Sequence, residues 1–101
     1  MIQSEPAKSV WTQDELRLAV LQLLFALHKN NPDNGGAAGK QLMDAFQLDY
    51  SSENISNLEL ALSYLRDKEY IGVGERVFLI TPKGIEFLTQ TLAINTLDFN
   101  P

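Results

Sequence analysis

The chain has 101 residues, with 8 Lys and Arg against 13 Asp and Glu for a formal charge of −5, 45 % apolar residues and no cysteine. That length suits one domain around one core, and the apolar fraction excludes a fully disordered chain. The lack of cysteine excludes a disulfide framework, thiol catalysis and a thiolate metal site, and the acidic balance opposes non-specific attraction to nucleic acid or anionic membrane.

In chain order, Met1-Ile2-Gln3-Ser4-Glu5 lacks the basic start and apolar block of a signal peptide. Thr12-Gln13-Asp14-Glu15 fits a capping box, in which the Thr hydroxyl and the Glu carboxylate each satisfy a free backbone N–H. The helix it opens is predicted to run to about Lys29, before the breakers Asn30-Asn31-Pro32-Asp33-Asn34-Gly35-Gly36. Its apolar stretch, Leu18 to Leu27, is ten residues and contains Gln22. A membrane-spanning helix needs about 20. A soluble, cytoplasmic protein without a membrane partner is the expectation.

This first helix is apolar on more than one side. Leu16, Val20, Leu23 and Leu27 form one stripe, and Leu18, Leu21 and Phe25 lie roughly 140–200° around the cylinder. Both stripes need covering, one by the core and the other by a terminal segment or a second subunit. Trp11, Leu97 and Phe99 could supply the terminal cover, and a homodimer through this helix and the C-terminal segment is the expectation.

A second helix is predicted from Gly39 or Lys40 to about Gln47. A third begins at a serine cap in Asp49-Tyr50-Ser51-Ser52 and runs to about Lys68, burying Ile55, Leu58, Ala61, Leu62 and Leu65. Two β-prone runs follow, Tyr70 to Val73 and Val77 to Ile80, joined by Gly74-Glu75-Arg76 as a hairpin. Thr81-Pro82 then opens a last helix with Ile85, Leu88 and Leu92 inward. The organisation expected is an N-terminal extension over 1–11, a domain over 12–92 and a C-terminal tail over 93–101.

The order helix-helix-helix-strand-strand-helix, mainly α with a small β-hairpin, resembles the winged helix-turn-helix domain. Leu62-Ser63-Tyr64-Leu65-Arg66-Asp67-Lys68-Glu69-Tyr70-Ile71 is similar to a recognition helix entering the first wing strand. Leu79-Ile80-Thr81-Pro82-Lys83-Gly84-Ile85-Glu86-Phe87-Leu88 is similar to the second wing strand entering the last helix, and Gly39-Lys40-Gln41-Leu42 to the start of the second helix. Glu69 departs from the pattern, since members of the family often have Gly there. The resemblance implies a dimeric transcription regulator of the multiple-antibiotic-resistance or phenolic-acid repressor type, with the third helix in the DNA major groove and the wing on the backbone. A minority of such domains bind protein instead, and fold alone does not choose.

On that resemblance, Asn54 and Asn57 would read base edges, Ser56 would meet a base edge or phosphate, and Lys40, Arg66, Arg76 and Lys83 would meet the backbone. The charge is poor for that task. No Lys or Arg occurs between Ser51 and Tyr64, Glu53 and Glu59 share the groove side, and residues 39–92 hold five basic and eight acidic residues. Leu60 and Tyr64, one turn apart, either pack beneath the second helix or the wing or form an exposed patch for a protein partner. Under the second alternative, Leu18, Leu21, Phe25, Leu97 and Phe99 join them as partner or dimer contacts.

Signals for catalysis are weak. His28 is the only histidine and reads as a helix-end residue. Residues 34–41 have Asn and Gln where a phosphate-binding loop needs Gly and Ser or Thr, and Gly72-Val73-Gly74 lacks the third glycine of a dinucleotide fingerprint. No enzymatic activity, metal or cofactor is expected. Two readings stay open: a DNA-binding regulator, and an acidic module that binds protein.

Overall fold

A computed structural model describes residues 11–99, with side chains described for residues 11–92. The elements are α1 (Gln13–Asn30), α2 (Gly39–Ala45), α3 (Ser52–Asp67), β1 (Ile71–Val73), β2 (Phe78–Ile80) and α4 (Pro82–Phe99). Their order is the one expected. The two strands pair antiparallel, with Ile71 opposite Ile80 and Val73 opposite Phe78.

The helix starts follow from their caps. The Thr12 hydroxyl accepts from the Glu15 N–H at 3.1 Å, and the Glu15 carboxylate accepts from the Thr12 N–H at 3.0 Å, completing the capping box. Ser51 caps α3 by accepting from the Asn54 N–H at 3.1 Å. Thr81 joins two elements: its hydroxyl accepts from the Gly84 N–H at 3.0 Å and donates to the Glu69 carbonyl at 2.6 Å. The start of α4 is thereby fixed to the end of α3. Gly84 has to be glycine here, because a Cβ would overlap the Tyr70 carbonyl oxygen.

Helices α2 and α3 end in the same way. The Leu48 N–H donates to the Met43 carbonyl and the Gln47 N–H to the Asp44 carbonyl. The Tyr70 N–H donates to Leu65 and the Glu69 N–H to Arg66. Both are Schellman turns, whose left-handed residue is usually glycine. Here Gln47 (φ 57°) and Glu69 (φ 66°) hold that conformation. The departure at Glu69 therefore leaves the turn geometry intact.

Three details differ from the sequence expectation. The strands have three residues each, one fewer than predicted, with Gly74 to Val77 forming the turn closed by the Gly74 N–H on the Val77 carbonyl at 2.8 Å. The loop after α1 lies along the hairpin, where Ala37 and Phe78 exchange two backbone hydrogen bonds of 2.8 and 3.1 Å. One bridging residue leaves no period in a sequence. Finally, α4 continues unbroken to Phe99, past Leu92 where the tail was placed.

The core lies around α1, which packs against α3, β2 and α4. Leu16, Val20, Leu21 and Leu24 of α1 meet Leu42, Leu58, Ala61, Leu65, Ile80 and Leu88. Full burial of each large aliphatic side chain contributes about 1.5–3 kcal/mol. Leu21 is buried outright, while Leu18 and Phe25 are half-buried and packed against the core. The second stripe of α1 is thus covered largely within the chain, because a central helix meets neighbours on several sides.

Candidate functional site

Helix α3 presents two distinct sides. Leu58, Ala61, Leu62 and Leu65 face the core, and Ser52, Ser56, Glu59, Leu60, Ser63 and Asp67 lie exposed on the opposite side. Glu53 is exposed beside them. Arg66, exposed on the last turn about 20° round from Glu59, is the one cation of α3 beside that strip.

Of the seven residues suggested for DNA contact, Asn54, Lys40 and Lys83 have a side-chain partner. The Asn54 amide donates to the Asp49 carboxylate at 2.9 Å and to the Asp49 carbonyl at 3.2 Å. Reading adenine with both ends of that amide requires breaking this arrangement. Asp49 is held below the ordinary carboxyl range mainly by hydrogen bonds from the Ser51 hydroxyl and N–H, with a smaller share from Asn54. Asn57 is half-buried, and its carbonyl accepts from the Gln13 amide at 3.0 Å. Lys40 pairs with Asp44 at 4.0 Å and Lys83 with Glu69 at 3.5 Å. Ser56, Arg66 and Arg76 are exposed, Arg76 in the hairpin turn and Arg66 on the last turn of α3.

The apolar candidates divide. Leu60 is 58 % exposed and Tyr64 37 % exposed, so neither lies beneath α2 or the hairpin. Leu60 sits roughly 150° around α3 from the centre of its buried side. The α2 and hairpin side is instead marked by Ile55 and Leu62, which share an apolar cleft of about 310 Å³ with Met43, Tyr50 and Phe78. Ile55, expected in the core, is 39 % exposed at that cleft. Leu21 is no surface contact, being fully buried. The side chains of Leu97 and Phe99 lie outside the described residues. Trp11 packs against Phe46 at the end of α2, with ring centroids 5.6 Å apart.

A second cleft, of about 250 Å³, opens between α1, α3 and α4. It brings together Leu18, Leu21 and Tyr64, which the sequence had placed in two separate candidate patches, and adds Tyr70 and Phe87. Tyr70 and Phe87 stack at 4.5 Å with their planes 16° apart. The Arg17 guanidinium lies over the Tyr64 ring at 3.6 Å, and the Lys68 ammonium is 5.6 Å from the same centroid. Arg17 went unnoticed in the sequence because its ring partner is on another helix. The same holds for the 2.7 Å hydrogen bond from the Tyr50 hydroxyl to Asp44, which together with burial and the Asp44 charge raises the Tyr50 pKa.

His28 is half-buried in the last turn of α1. Among the described residues no three His, Asp or Glu side chains group as metal ligands, and no helix is long and apolar enough to cross a membrane. No family model matches the chain, and comparison with curated proteins and with solved structures likewise finds no match.

Proposed function

We propose that this chain is a non-catalytic recognition module of winged-helix build that binds a protein partner through the Leu60–Tyr64 side of α3, and not DNA. The observation that carries this reading is the outward strip of α3. It displays Glu53, Glu59 and Asp67 against a single exposed cation of the helix, Arg66, and it leaves Leu60 open and Tyr64 half-open beside them. Duplex DNA carries about one negative charge per 1.7 Å, so a helix inserted this side first brings carboxylates against phosphates. An exposed leucine next to a half-open tyrosine instead offers apolar contact area of the kind protein interfaces desolvate.

The supporting details concern the groups that DNA recognition would have used. Asn54 is tied to Asp49, and Lys40 and Lys83 are paired with carboxylates. Fluorescence anisotropy against pooled genomic fragments tests the reading. No saturable binding is expected at about 50 mM salt, where phosphate contacts are strongest. Binding that weakens steeply towards about 200 mM would return the function to DNA.

A further inference from the structure

We infer that the cleft between α1, α3 and α4 receives an apolar side chain of the protein partner, with an adjacent Asp or Glu of that partner binding Arg17. This rests on the protein-recognition reading and adds the partner's chemistry to it. The first observation is an unmet hydrogen bond. Arg17 Nε is buried and has no hydrogen-bond partner among the described residues. A buried guanidinium N–H left unmatched is costly, and a partner's acceptor reaches it only by displacing the groups that cover it.

The second observation is the loose hold on the rest of that guanidinium. Its Nη1 lies 3.6 Å from Asp14, longer than a good hydrogen bond, and the Asp14 side chain is 95 % exposed. The Arg17 side chain itself is only 27 % exposed, and Tyr64 lies against its flat face. Stacking fixes the plane of the fork and leaves its edge for a carboxylate, the acceptor whose geometry matches it.

Charge and shape agree on the occupant. In a chain of net charge −5, Arg17 and Lys68 converge on one ring against the single carboxylate of Asp14, which leaves this mouth one positive charge in excess. The walls behind it, Leu18, Tyr64, Tyr70 and Phe87, are apolar and aromatic and suit a leucine, phenylalanine or tyrosine. Leu60 stands one helical turn from Tyr64, so the exposed patch on α3 continues into the cleft.

The test is selection of a phage-displayed random-peptide library on the full chain, followed by titration of synthesised winners. Peptides with Asp or Glu beside a large apolar residue are expected. Replacing that acid by its amide is expected to weaken binding about tenfold in the natural chain and hardly at all in Arg17→Met, which keeps an unbranched side chain and removes the guanidinium. The amide peptide binds both chains alike, which shows the variant folded. Winners without a carboxylate, or an acid whose effect is the same in Arg17→Met, would overturn the inference. If such winners still lose affinity in Leu60→Lys, the α3 reading stands and only the cleft falls. A library that yields no binder overturns the cleft and leaves the α3 reading to the DNA titration.

Discussion

Gln47 and Glu69 each close a helix in a conformation that costs an L-residue about 1 kcal/mol and glycine almost nothing. Gln47 is exposed, so Gln47→Gly is expected to raise unfolding stability by about 1 kcal/mol, or roughly 4–8 °C in Tm. Thermal unfolding with an unchanged or lower Tm would contradict the Schellman geometry. Asp49 gives a pH signature. Its folded pKa lies below the ordinary value of 3.8, so its contribution is full above that value and is lost as pH falls through the lower folded pKa. In Ser51→Ala, which removes the largest cause, the Asp49 carboxyl is expected to titrate closer to 3.8 by NMR. An unmoved midpoint would show that the hydroxyl does not hold it. Thr12, Ser51 and Thr81 were legible as caps because a cap is decided within three residues. The Asn54–Asp49, Tyr50–Asp44 and Arg17–Tyr64 contacts were not, because each depends on how a loop or a second helix is placed.

At the scale of elements, periodicity identified the helices but misjudged single positions on their flanks. Leu58, Ala61, Leu62 and Leu65 keep the 3.6-residue spacing and are buried, whereas Ile55 shares that spacing and opens onto the α2–α3 cleft. The sequence shows which side of a helix is apolar, and the neighbours decide how far round the cover extends. Leu60 and Leu65 separate the two environments. Leu65→Ala is expected to cost about 3 kcal/mol in urea unfolding, and Leu60→Ala less than about 0.5 kcal/mol. Equal losses would place Leu60 in the core and remove the exposed patch. The double stripe on α1 was correctly read as needing cover on both sides. Its cover is largely α3, β2 and α4, which no local pattern in α1 could reveal.

For the whole molecule, the order of elements and the hairpin were legible because caps, breakers and a change of period punctuate the chain at each boundary. The site was only partly legible. The sequence already put Glu53 and Glu59 on the groove side of α3, and the fold adds Asp67 to them and brings Arg17 and Lys68 together at Tyr64. The chain thus separates an acidic outward strip from an aromatic cleft with a cationic mouth. The most direct test compares the natural chain with Glu53→Lys/Glu59→Lys/Asp67→Lys by fluorescence anisotropy on the same pooled DNA. The natural chain is expected to show no binding up to about 100 µM at about 50 mM salt, and the triple variant to bind with steep salt dependence. Salt-sensitive binding by the natural chain, whatever the three lysines add, would contradict the account.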